Sequence, residues 1–136
     1  MNLKREQSIL IVDDDADDRE SIRDAFVENQ VSKEYIFLHN GEQLISYLTD
    51  STDLTALSLI LLDLNMPGLD GRDALKKIRE CEKLRHIPII IFTTSSSQRD
   101  KEAAYSLGAN CFITKPDTFK KLVEIAGSIT KLWFAN

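Results

Sequence analysis

Short apolar runs alternate with helical patterns along the chain. Ser8-Ile9-Leu10-Ile11-Val12 is rich in β-branched residues and stops at three acids, which predicts a strand buried on both faces. Ala16 to Glu28 carries Ile22, Ala25 and Phe26 at helical spacing. Tyr35 to Leu38 reads as a second strand, and Glu42 to Thr49 as a helix with Leu44, Ile45 and Leu48 inward. Leu57 to Leu62 is a third strand. Met66-Pro67-Gly68 and Asp70-Gly71 are turn signals. They precede a helix from Arg72 to Cys81 with Ala74, Leu75 and Ile78 inward. Pro88 opens a fourth strand, Ile89 to Phe92, and Gln98 to Leu107 is a helix closed by Gly108, a residue that accepts positive φ. Cys111 to Ile113 is a fifth strand. Asp117 is expected to cap a last helix with Phe119, Leu122, Val123, Ala126 and Ile129 inward. Strands separated by helices favour a parallel α/β sheet with helices on both faces.

Composition narrows this little but excludes much. A chain of 136 residues is one domain's worth, since domains run roughly 100–200 residues. The formal charge of -5, from 22 acids against 17 bases, argues against a nucleic-acid binder. No apolar run approaches the roughly 18–20 residues of a membrane span, and Met1 to Glu6 does not lead into a signal peptide. Cys81 and Cys111 are read as reduced thiols, each a small buried hydrophobe, in a cytoplasmic protein. His39 and His86 share no metal spacing. Arg72, Lys76, Lys77 and Arg79 read as a solvated basic helix face.

In an open α/β sheet, ligands bind outside the carboxyl ends of the strands. The first strand ends in Asp13-Asp14-Asp15, the third in Asp63, the fourth in Thr93, and the fifth runs into Thr114-Lys115-Pro116. The fold brings these ends to one rim. Two like charges at 4 Å cost about 1 kcal/mol in water and about 4 kcal/mol at an effective dielectric near 20. Gathered carboxylates therefore call for a cation. Oxygen ligands without nearby His or Cys suit a hard divalent ion, Mg²⁺ first. A lysine and a hydroxyl at the same rim point to phosphoryl chemistry with a carboxylate nucleophile. Taken singly, the acids also read as helix caps, Lys115 as a solvated charge, and Thr93 to Ser97 as loop and capping residues.

Four segments carry a resemblance: Ile9 to Asp15, Leu61 to Gly71, Pro88 to Thr94, and Phe112 to Pro116. They resemble the receiver domain of two-component response regulators. The resemblance implies a flavodoxin-like doubly wound five-stranded parallel sheet, order 2-1-3-4-5, and one receiver domain over residues 1–136. It implies that Asp63 accepts a phosphoryl group from a kinase phosphohistidine. Asp14 is then the main acidic Mg²⁺ ligand, with Asp13 helping and Asn65 giving its backbone carbonyl. Lys115 would pair with Asp63 before transfer and with the phosphoryl oxygens afterwards. Thr93 would donate its hydroxyl to the phosphoryl group, and Phe112 takes the aromatic switch position. Lys115-Pro116 is usually cis in this family. Asp15 is an extra acid, read as a cap, and Ser95 borders the path of the hydrolytic water.

Thr93-Thr94-Ser95, Asn110 to Pro116 and Leu132-Trp133-Phe134 look like stand-alone receivers that serve phytochromes, although many of those begin the acidic pair with Glu where Asp13 stands. The expected partner is a sensor histidine kinase, phytochrome-type among the options, or a histidine phosphotransfer protein. Only one helix fits after Lys115-Pro116, so the output is expected to be a protein contact or onward phosphotransfer. Ala103, Ala104, Tyr105 and Leu107, with Trp133 and Phe134, are candidates for a homodimer face through the last two helices and fifth strand. The expected chemistry is self-phosphorylation and autodephosphorylation in a signalling protein rather than an enzyme. Three competing readings stand beside it. A flavodoxin-like electron carrier would meet a triply acidic loop where its phosphate should sit. An aspartyl phosphatase would carry a second Asp where Asn65 stands. A degenerate receiver would act only as a scaffold, against the presence of every acceptor-site residue.

Overall fold

A computed structural model describes residues 7–51 and 53–134, so the reading of Met1 to Glu6 lies outside the described residues. Five strands, β1 (Ser8–Val12), β2 (Glu34–Leu38), β3 (Leu57–Leu62), β4 (Ile89–Thr93) and β5 (Cys111–Thr114), alternate with five helices. These are α1 (Ala16–Glu28), α2 (Gly41–Asp50), α3 (Gly71–Glu80), α4 (Gln98–Ser106) and α5 (Phe119–Trp133). The sheet is parallel throughout, ordered β2-β1-β3-β4-β5.

Period-two alternation divides each central strand between two cores. Leu10, Val12, Ile60, Leu62, Ile89 and Ile91 face α2, α3 and α4, whose Leu44, Leu48, Leu75, Ile78 and Ala104 meet them. Ile9, Ile11, Leu59, Leu61, Ile90 and Phe92 face α1 and α5, meeting Ile22, Phe26, Leu122, Ala126 and Ile129. Each fully buried Leu, Ile or Phe contributes roughly 1.5–3 kcal/mol of hydrophobic stabilisation, so the central strands dominate stability and hold the rim rigid.

Helix ends follow the local chemistry. Asp15 caps α1, its carboxylate accepting from Asp18 N, as expected of the extra acid. Asn40, Asp70 and Ser97 cap α2, α3 and α4. Gly108 follows the end of α4 with φ +103, where a Cβ is disfavoured.

Several expectations need correction. Thr118, not Asp117, caps α5, because its Oγ1 accepts from Lys121 N at 3.2 Å while Asp117 pairs with the Lys121 ammonium instead. Phe119, at the first turn of α5, is 48% exposed rather than inward. Both thiols are free, but Cys81 is exposed at the end of α3 and Cys111 only half-buried. A short 3₁₀ turn, Glu82–Leu84, buries Leu84. Arg79 is no solvated charge: its guanidinium donates to the carbonyls of Gly108, Leu84 and Arg85 and to Asn110 Oδ1. Lys115-Pro116 is trans, against the family habit. Among the described residues no helix is long and apolar enough to cross a membrane.

Candidate functional site

The last rungs of the sheet bring the expected residues together. Asp63 N donates to Val12 O at 3.0 Å, which seats Asp63 beside Asp13 at adjacent strand ends. Lys115 N donates to Thr93 O at 2.7 Å, which places the lysine and the threonine on neighbouring strands of the same rim. Asp13, Asp63 and Thr93 are buried, whereas Asp14 and Asn65 are exposed.

Carboxylate oxygens of Asp13, Asp14 and Asp63 lie within 4.8 Å of one another. The donor set is all oxygen, with one exposed acid that can exchange its waters for a cation. Burial, the largest influence, pushes the Asp13 carboxyl above the usual carboxylate range despite the Lys115 hydrogen bond. A hard divalent cation fits this cluster, because it would offset the desolvated charge.

The Lys115 ammonium is shared among three acids. It bonds Asp13 Oδ2 at 2.7 Å and Asp18 Oδ2 at 2.8 Å, and stands 3.5 Å from Asp63 Oδ2. The expected Lys115–Asp63 pair is therefore present but is the longest of the three. Burial acts to lower the Lys115 pKa, yet its hydrogen bonds to Asp13 and Asp18, with the charges of Asp13 and Asp63, outweigh it, and the net shift is upward. The lysine stays charged at every physiological pH.

Asn65 N donates to Asp63 Oδ1 at 3.3 Å, and its side-chain amide reaches Thr93 Oγ1 at 3.4 Å. Ser95 N also donates to Thr93 Oγ1 at 3.4 Å. Both bonds are long and weak. Ser95 is more tightly held elsewhere. Its hydroxyl donates to Asp100 at 2.6 Å, and Arg72 pairs with the same carboxylate at 2.8 Å. Arg72 therefore ties α3 to α4 rather than facing solvent. Phe112 is half-buried against the α2–α3–α4 core, and its N–H donates to the Tyr105 hydroxyl at 3.1 Å. Of the residues proposed for self-association, Ala104 is buried, and Trp133 and Phe134 pack on the α1–α5 core, Phe134 edge-on to Phe26.

Two residues at the site were missed. Arg19 is buried, and its guanidinium donates to Asp13 O at 2.7 Å while its Nε has no hydrogen-bond partner among the described residues. The signal that could have found it is spacing: Arg19 stands three residues before Ile22 and seven before Phe26, a charge on the apolar stripe of α1. Asp18 carried no such signal, since only the fold brings it to a lysine 97 positions away. Asp18 and Lys115 also open on a cavity of about 200 Å³ that α1 shares with Phe92, Pro116 and Leu122.

A doubly wound sheet with an acid triad, a threonine and a lysine at its carboxyl rim defines a response regulator receiver, and the chain belongs to that family, which matches residues 9–126. Receiver domains bind a divalent metal and are phosphorylated by histidine kinases. The chain is 32% identical over 128 residues to the response regulator Rcp1 of Synechocystis sp., covering 92% of this chain and 87% of that protein. It matches the structure of the phosphorylated cyanobacterial phytochrome response regulator RcpA with TM-score 0.87 and 30% identity, over 96% of each chain. The Mn²⁺-bound form of Rcp1 matches with TM-score 0.81 and 32% identity, over 93% of this chain and 94% of that one. The protein is a receiver-domain response regulator homologous to Rcp1 and RcpA.

Proposed function

We propose that Asp63 takes a phosphoryl group from a phosphohistidine and that the resulting acyl phosphate switches the contacts this protein makes. The observation that carries this reading is the convergence on buried Asp63 of two further carboxylates, the Lys115 ammonium and Thr93 at one rim. An Asp63 oxygen forms a bond to phosphorus as the histidine N–P bond breaks, and the imidazole leaves with the electron pair. In autodephosphorylation, water attacks phosphorus, the Asp63 carboxylate leaves, and a proton passes to solvent. Neither step makes the chain a turnover enzyme.

Asp13, Asp14, Asp63 and the Asn65 carbonyl would hold the divalent ion, Mg²⁺ in this reading. When bound, that ion offsets the charge gathering on the transferred group. Lys115 offers its ammonium to a phosphoryl oxygen. Thr93 gives up its long bonds from Asn65 and Ser95 and turns its hydroxyl to another oxygen. Phe112 follows on β5, the adjacent strand, and changes the surface made by α4, β5 and α5.

The donor is a sensor histidine kinase or a histidine phosphotransfer protein in the cytoplasm. The likeness to RcpA, a phytochrome response regulator, favours a phytochrome-type kinase. The reading treats residues 1–136 as a single receiver domain. It extends to a homodimer through α4, β5 and α5, on which Tyr105 and Leu132 are exposed. Light scattering with and without beryllofluoride tests the dimer, and a monomer in both states removes it.

Mg²⁺-dependent labelling by acetyl phosphate tests the acceptor. Asp63→Asn is expected to lose the label. Equal labelling of wild type and variant would move the acceptor elsewhere.

A further inference from the structure

We propose that Asp18 is a positioning residue that keeps the Lys115 ammonium at the phosphoacceptor once a divalent cation engages the acid cluster. The inference rests on the phosphoryl-accepting reading and deepens it. Lys115 Nζ bonds Asp13 at 2.7 Å and Asp18 at 2.8 Å, both shorter than its 3.5 Å to Asp63. Among the described residues, the cluster able to hold a metal comprises Asp13, Asp14 and Asp63, and Asp18 stands outside it.

A cation drawn to that cluster competes with the ammonium for Asp13 and Asp63, and like charge repels the two. Among the described residues, Asp18 is the one carboxylate on Lys115 that escapes this competition. Its backbone is fixed, while its side chain is 41% exposed. Its N–H donates to the capping Asp15 carboxylate at 3.1 Å, so the first turn of α1 sets its place. The ammonium it holds has a side chain only 11% exposed, and such a charge-assisted bond is stronger than one between neutral groups. Asp18 thus acts through Lys115. It leaves the ammonium within reach of the oxygens that gather on Asp63, rather than letting it swing to solvent.

The test uses acetyl phosphate and Mg²⁺. An Asp63 oxygen bonds phosphorus as the donor's O–P bond breaks, and acetate leaves with the electron pair. Asp18→Asn is expected to label about tenfold more slowly at saturating Mg²⁺, equivalent to about 1.4 kcal/mol, and Asp18→Glu to recover part of the rate. In a Lys115→Ala background the same Asn substitution is expected to change nothing further. A second readout needs no phosphodonor. The ¹⁵N signal of the Lys115 ammonium should survive Mg²⁺ titration in wild type and vanish in Asp18→Asn.

An unchanged labelling rate, an undiminished effect without Lys115, or an ammonium signal that persists in Asp18→Asn would each overturn the proposal. Asp63→Asn run alongside separates this from failure of the acceptor reading. Label retained there refutes Asp63, whereas label lost there with Asp18→Asn at wild-type rate refutes Asp18 alone.

Discussion

Gly71 opens α3 with its Cα against the backbone of Asp63 and Leu64. A Cβ built there would stand 2.2 Å from Asp63 O, 2.7 Å from Leu64 Cα and 2.9 Å from Asp63 C. Non-bonded atoms are comfortable at roughly 3.5 Å and beyond, so Gly71→Ala requires α3 to retreat by about 1 Å. The helix is not free to do so. Gly71 N donates to Leu64 O at 3.1 Å, and Ala74, Leu75 and Ile78 are fully buried behind it. Helix propensity acts the other way, since Ala gains up to about 1 kcal/mol over Gly in a helix interior and less at its first position. Overpacking against unyielding neighbours costs about 1–3 kcal/mol, and here the neighbours are backbone. The clash wins, and a net loss near 2 kcal/mol is expected. Urea unfolding followed by far-ultraviolet circular dichroism measures it through a lower midpoint at unchanged slope. Gly127→Ala is the matched control. Its Cβ would meet the Asn29 side-chain oxygen at 2.9 Å, the end of one side chain rather than backbone, whose amide donates to Ala25 O at 2.8 Å and Val123 O at 2.9 Å. The Gly127→Ala loss should be the smaller of the two, since one side chain has to shift rather than backbone and the helix propensity of Ala offsets part of the cost. A Gly71→Ala protein as stable as wild type would refute the steric reasoning.

Two further outcomes follow from the same geometry. Arg79→Ala removes four guanidinium hydrogen bonds that stitch α3 to the 3₁₀ turn and the loop before β5. A loss of about 1.5–3 kcal/mol in urea unfolding is expected, and a change under about 0.5 kcal/mol would return Arg79 to the solvated face. Tyr35 donates its hydroxyl to Val31 O at 2.8 Å, and burial pushes its pKa up to about 12. An unfolded tyrosine ionises near 10. The folded state therefore keeps its proton longer, and the stabilisation, complete below about pH 10, drains as pH rises towards 12. Wild type should lose more stability than Tyr35→Phe between about pH 10 and pH 12. Parallel losses in both would place the alkaline sensitivity elsewhere.

Local order was readable before any coordinates. Short apolar runs stopped by polar residues located all five strands, because a strand packed between two helix layers keeps charge out until its end. Gly108 and the hydroxyl run ending at Ser97 stood where a helix ends and begins because capping and positive φ are properties of single residues, while Asp70 read only as a turn. The rim cluster was legible for a related reason: in a parallel sheet, polar groups gather where strands stop, so Asp13, Asp63, Thr93 and Lys115 marked themselves by position. What stayed hidden depends on distance through space. The share of Lys115 taken by Asp18 rather than Asp63, the guanidinium of Arg19 on the Asp13 carbonyl, and the Arg72–Asp100–Ser95 chain all join separate elements. A charged side chain several bonds long can end in water or on any of several partners. Only the packed positions of the backbones decide which oxygen lies within 3 Å.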